Sequence, residues 1–276
     1  MDEYMKVNQD RWNELVAIHA RSEFYNMGSF KAGTKGLNYL EREEVGDVAG
    51  KSLLHLQCHF GMDTLTWARL GAKVTGIDYS EKAIELARSL STELGIGADF
   101  VCCNIYDLPD NLSGQFDIVY TSYGVLGWLP DLEPWGKIIA HFLKPGGLFY
   151  IVEGHPFIWI FDEGQDFKVK YSYFSREALK FEVHNTYADT NAQTVNTTEY
   201  GWNHTLSEIL GSLLSAGLKI DFFHEHTFCA WECFPNMVEG EDGFFRLKEN
   251  DGMIPLMFSL KAIKEVRQGS MVKNSP

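Results

Sequence analysis

Apolar positions recur with two alternating periods through the middle of the chain. Residues 52–57 alternate and then run apolar behind a Gly50-Lys51 turn, which predicts a strand. Met62, Leu65 and Ala68 follow at helical spacing with Trp67 beside them, and Gly71 stands where a helix end takes positive φ. Residues 74–77 form the next short apolar run, with Asp78 at its C-terminal end. Ser80 suits the cap of a helix reaching about Leu94, with Ala83, Ile84, Ala87, Leu90 and Leu94 on its buried face. Strands are predicted at 98–103, 116–122 and 148–153, and Asp131 and Pro134 open a helix before the last of them. Strand–helix units in succession argue an α/β fold with a parallel, doubly wound sheet. Further on, Thr205 and Glu208 make a capping box before the stripe Leu206, Ile209, Leu210, Leu213 and Leu214, and Gly217 suits the helix end. Residues 218–223 and 256–263 read as strands.

The pattern divides the chain. Residues 1–49 precede the first strand and form an N-terminal cap, with a helix over 7–20 that places Trp12, Leu15, Val16 and His19 on one face. Residues 50–264 are the main domain. An insertion at about 155–203 carries alternating runs at 171–174 and 180–187 and a Thr- and Val-rich run at 193–202, which read as a small β-rich lid. A second excursion, 228–253, is aromatic. Segments of this length inside a compact domain are commonly functional covers. Residues 265–276 read as a flexible tail.

Composition narrows the partners. Of 276 residues 14% are aromatic, concentrated outside the strand–helix core, which favours an aromatic-lined pocket. The net charge of −14 has no basic cluster, so neither a nucleic acid nor an anionic membrane surface is expected; a neutral or cationic small molecule fits better. The first residues lack the apolar run of a secretory signal, and the five cysteines are irregularly spaced. The expected location is cytoplasmic.

The loop after the first strand is Gln57-Cys58-His59-Phe60-Gly61-Met62-Asp63. Its single glycine does not match the three-glycine fingerprint that lets a backbone approach a pyrophosphate, which argues against a nicotinamide dinucleotide. In doubly wound sheets the ligand lies outside the carboxyl ends of the strands, so Asp78 is placed to accept from a ribose diol. Residues 50–155, and more weakly 200–264, resemble the class I S-adenosylmethionine-dependent methyltransferases. The resemblance is carried by the 51–80 unit, Asn104-Ile105, the 116–122 strand in the place of motif IV, and the Lys144-Pro145-Gly146-Gly147 turn. The sequence departs from that family at the first motif, where His55 replaces the usual acidic residue and Gln57 and His59 replace two glycines. The resemblance implies a Rossmann-like, mostly parallel seven-stranded sheet with an antiparallel last strand, and S-adenosyl-L-methionine as cofactor. It implies cofactor contacts from Gln57, Cys58, His59, Gly61, Asp63, Asp78, Tyr79, Asn104, Ile105, Tyr106 and Thr121. Asn104 would accept from the adenine amino group and Ile105 would stack on the ring.

Methyl transfer from a sulfonium is a displacement in which positioning supplies much of the rate, and a base is needed only where the acceptor loses a proton. His155, after the fifth strand, and His204 are the base candidates, each with the alternative of a hydrogen-bonded structural residue. Tyr25, Tyr123, Glu153, Tyr171, Trp202 and Trp231 are the expected substrate contacts. His224, His226, Cys229 and Cys233 match no standard zinc spacing, and no metal is expected. The alternative to a small-molecule methyltransferase is a non-catalytic S-adenosylmethionine- or nucleoside-binding regulatory module.

Overall fold

The computed structural model of the chain describes residues 3–162, 167–235 and 237–266. Three helices come first, α1 (Glu3–His19), α2 (Met27–Lys31) and α3 (Tyr39–Val45). Strands and helices then alternate: β1 (Ser52–His55), α4 (Met62–Arg69), β2 (Lys73–Asp78), α5 (Glu81–Leu94), β3 (Asp99–Cys102), α6 (Leu108–Asn111), β4 (Phe116–Ser122), α7 (Leu132–Phe142) and β5 (Leu143–Gly154). After them lie β6 (Leu179–Glu182), β7 (Thr198–Gly201), α8 (Leu206–Ser215), β8 (Leu218–His226), β9 (Met237–Glu239), β10 (Phe245–Leu247) and β11 (Met257–Lys264).

The main sheet has seven strands in the order β3-β2-β1-β4-β5-β11-β8. β1 runs parallel to both β2 and β4, while β11 is antiparallel to both of its neighbours. The chain leaves β1 in one direction for β2 and β3 and returns on its other side for β4 and β5. The crevice between the carboxyl ends of β1 and β4 is therefore the topological switch point, where ligands of open α/β sheets bind.

Both faces are covered. Trp135, Ile139, Phe142, Ile209 and Leu213, from α7 and α8, bury one face against Val119, Phe149, Ile151 and Leu260. Trp67, Tyr120, Tyr150 and Val152 pack on the other, under Phe234 and Phe244 of the aromatic excursion. Full burial of each large apolar side chain contributes about 1.5–3 kcal/mol. α7 and α8 approach so closely that a Cβ on Gly136 would lie 2.5 Å from the Ser212 carbonyl oxygen.

The sequence-derived caps hold. Ser80 accepts from Ala83 N–H, Asp131 from Glu133 N–H, and Thr205 and Glu208 close a full capping box. The lid differs from expectation. Among the described residues, Leu179–Glu182 and Thr198–Gly201 pair as a two-stranded antiparallel ribbon, with isolated bridges at Phe161–Val169 and Thr186–Asp189. The 171–174 run is loop, because its polar groups bond elsewhere: Tyr173 accepts from Leu206 N–H at 3.0 Å, and the Ser172 carbonyl from Asn203 at 3.1 Å. The expected tail falls mostly on residues 267–276, outside the described residues.

Candidate active site

The turn from β1 into α4 is built on left-handed backbone. Gln57, His59 and Gly61 have φ of 54°, 50° and 77°. Gly61 is obligatory twice over, since a Cβ there would also lie 2.8 Å from the Phe100 ring. The Cys58 N–H donates to the Ile77 carbonyl at 2.8 Å, tying the turn to β2, and the Cys58 side chain is buried. Asp78 closes the turn. One of its oxygens accepts from His59 N–H at 2.8 Å and the other from Ser80 N–H at 2.9 Å. Burial raises its pKa to about 6.

Asp78, Tyr79, Gln57, Asn104, Ile105 and Trp128 line one narrow cleft of about 20 Å³, room for a single water. The Asn104 amide oxygen accepts from Tyr106 N–H at 3.0 Å and caps the turn after β3; an amide oxygen has a second lone pair to offer. The Tyr106 ring points outward enough for its hydroxyl to donate to the Asp131 carbonyl at 2.7 Å. A larger depression of about 350 Å³ is lined by Ile18, Arg21, Asp189, Ala192 and Gln193, and by none of the strand-tip residues.

The cleft is narrow because α1 lies across it. Gln9 donates to the Tyr79 carbonyl at 2.7 Å, and Asn13 accepts from the Ser80 hydroxyl at 2.7 Å. The other side of α1 is bound to the insertion. Arg11, 2% exposed, donates to Glu199 at 2.5 Å and to the carbonyls of Asn185 at 2.9 Å and Asn196 at 2.7 Å. Trp12 packs edge-on to both His59 and Trp128. His19 bonds His59 at 3.0 Å and Thr186 at 2.6 Å, and Tyr25 bonds Tyr187. Burial lowers the pKa of His19 to about 4, so this cluster is neutral at neutral pH. Periodicity detected α1 but not its second face: Gln9, Arg11 and Asn13 are ordinary helix-surface residues in a sequence.

At the tips of β4 and β5 the arrangement is acidic and aromatic. Asp63, in the first turn of α4, accepts from the Ser122 hydroxyl at 3.2 Å. Tyr123 packs edge-on to Trp231, and Trp231 lies parallel to Trp159 with centroids 6.4 Å apart. Tyr25 reaches the first-motif turn through Phe60, at 4.8 Å, instead of the aromatic wall.

Several expected substrate or base residues are committed otherwise. Glu153 is buried with its oxygens filled by the backbone N–H groups of Gly124, Val125, Leu126 and Gly154, so it shapes the loop after β4. His155 bonds Glu225 through Nε2 at 3.0 Å and accepts from Phe157 N–H through Nδ1 at 3.1 Å, leaving no ring nitrogen for a base. His204 donates Nε2–H to the Leu129 carbonyl at 2.7 Å, beside the cleft and away from His155. Trp202 is buried against Tyr4, and Tyr171 packs on Phe181 in the lid. These roles depend on long-range partners that no local pattern shows.

Among the described residues, seven buried side-chain nitrogens and oxygens have no hydrogen-bond partner. Five of them surround the ends of β1 and β4: Gln57 Oε1, Tyr120 OH, Thr121 Oγ1 and both oxygens of Glu41. Unpartnered buried polar groups at a strand-tip crevice are free to bond a polar ligand or water.

The description "Methyltransferase domain" matches residues 54–151. The ubiquinone biosynthesis O-methyltransferase of Chromobacterium violaceum is 34% identical over 111 residues, 40% of this chain and 47% of the relative. That of Bordetella pertussis is 34% identical over 106 residues, 38% of this chain and 44% of the relative. The chain thus spans about half the length of the curated relatives it matches. Among solved structures, the fold is shared with an S-adenosylmethionine-dependent methyltransferase of Mesorhizobium loti at a TM-score of 0.58 and 20% identity, covering 82% of this chain and 96% of that one.

In the matched segment the altered first motif keeps its backbone. Gln57 and His59 occupy the left-handed conformation that glycine adopts without cost, so the turn is retained at a penalty of about 1–2 kcal/mol for each. His55 does not stand in for a carboxylate: it is buried, bonded to Thr64 at 2.8 Å, and burial lowers its pKa to about 3, so it is uncharged.

Proposed function

We propose that the chain transfers a methyl group from S-adenosyl-L-methionine to a small-molecule acceptor. The observation that carries this reading is the convergence of Gln57, Asp78 and Asn104-Ile105, from the tips of three adjacent strands, on one cleft at the switch point. A cofactor bound there supplies an electrophilic methyl on a sulfonium. The residues of the chain hold and orient. Asp78 accepts from the ribose hydroxyls with the lone pairs its backbone contacts leave free. Asn104 takes the adenine edge and Ile105 its face. Tyr123, Trp159 and Trp231 wall the acceptor beside the ends of β4 and β5.

The base candidates are tied into hydrogen bonds, which favours an acceptor that needs positioning more than proton removal. The curated relatives are named as O-methyltransferases of ubiquinone biosynthesis, but the likeness spans 40% of the chain and leaves the acceptor open.

The reading is tested by following S-adenosylhomocysteine released from S-adenosylmethionine in the presence of a protein-free metabolite extract. Release above the extract-free control is expected. Binding of S-adenosylhomocysteine without any release would favour the regulatory module instead.

A further inference from the structure

Glu41 is the least explained charged residue among those described. It sits on α3, 1% exposed, and neither carboxyl oxygen has a hydrogen-bond partner among the described residues. The Tyr123 hydroxyl accepts from Asn38 at 2.9 Å and keeps its own O–H, the single side-chain donor that acts on Glu41. The charge that acts on Glu41 is Asp63, a half-buried carboxyl that accepts from Ser122 and lies in the field of Lys35. Lys35 is half-buried and donates to the Phe24 carbonyl; among the described residues no ion pair joins it to either carboxyl. Tyr120, whose hydroxyl is also an orphan, lies within the field of both carboxyls.

Two carboxyls facing one another in the interior repel when ionised and lose hydration when buried. A structural role would show in completed hydrogen bonds, as it does for Glu153. Here the Glu41 oxygens lack completed hydrogen bonds, near Tyr123 and in the field of Asp63. A compact cation with several donors satisfies such a set, and an ammonium carries three N–H groups.

We propose that Glu41 and Asp63 form a buried site for an alkylammonium group, carried either by the amino-acid end of the nucleoside cofactor or by an amine acceptor. The proposal rests on the cofactor reading given above. Burial raises the Glu41 pKa to about 8, so ammonium binding at neutral pH releases a proton from this carboxyl.

The test uses the full chain, Glu41→Gln and Asp63→Asn, with two probes. S-adenosylhomocysteine carries the ammonium; 5′-methylthioadenosine is the same nucleoside thioether without the amino-acid end. If the cofactor supplies the ammonium, each variant binds S-adenosylhomocysteine at least tenfold more weakly and 5′-methylthioadenosine unchanged. If an acceptor supplies it, both affinities stay unchanged; the wild type then methylates primary alkylamines in preference to matched alcohols, and each variant raises the amine KM at least tenfold. Glu41→Gln is expected to melt at or above the wild-type temperature at pH 8.5. The site is overturned if both variants match wild type in every one of these binding and KM measurements. Equal loss of both probes, or melting of Glu41→Gln several degrees below wild type, also overturns it. Failure of the wild type to bind either probe would remove the cofactor reading itself.

Discussion

Asp78 holds the turn and the proposed ribose site at once, which makes it the most informative single residue. Asp78→Asn keeps an acceptor for one backbone N–H and removes the charge. Charge-assisted hydrogen bonds contribute about 1.5–3 kcal/mol, so S-adenosylhomocysteine should bind the variant about 10- to 100-fold more weakly by calorimetry. Because burial raises the Asp78 pKa to about 6, the acceptor is ionised above that value and protonated below it. Affinity should decline below about pH 6, an inflection that Asp78→Asn should lack. The turn itself depends on Gly61. Gly61→Ala forces a side chain into positive φ and into Phe100, and should lower unfolding free energy by about 1–3 kcal/mol in denaturant titration. The sequence showed Asp78 and Gly61 directly, since both stand at a strand or helix boundary. The resemblance put Gln57 and His59 at glycine positions, but did not show the tertiary bonds that hold the turn, from Leu56 and Cys58 N–H to the Tyr120 and Ile77 carbonyls.

At the scale of elements, α1 and the insertion behave as one cover joined through Arg11. Arg11→Ala leaves the Glu199 carboxylate and several carbonyls without their donor, a loss of about 3 kcal/mol of lid docking. Hydrogen exchange should rise across residues 183–201 while the amides of β1, β4 and β5 stay protected; equal change in both would refute a separable cover. The cover should also respond to acid. His19 titrates near 4 when docked and near 6.5 when free, so the open form binds more protons in between. Docking weakens as pH falls from 6.5 toward 4, and exchange of the 183–201 segment, corrected for intrinsic rate, should rise over that window. Periodicity made the helices and sheet strands legible, since each buries one face. The 171–174 run was misread because alternation there reflects packing on Leu206 and Phe181, not a ladder.

For the whole molecule, the sheet order places every strand tip with chemistry on one rim, and the cover narrows that rim to the volume of a water. Admission of a nucleoside therefore requires α1 to swing out or slide, and ligand binding is coupled to the cover. The parallel sheet and its cofactor end were readable because they arise from local strand–helix units. Of the acceptor end the sequence indicated Tyr123 and Trp231 but not Trp159 or Glu41, because ring packing and burial join separate segments. The most direct test is a calorimetric titration of the full chain with S-adenosylhomocysteine at pH 7.5, paired with a thermal melt. A saturable one-to-one isotherm and a melting temperature that rises with ligand are predicted. No heat and no shift at millimolar ligand would contradict the account.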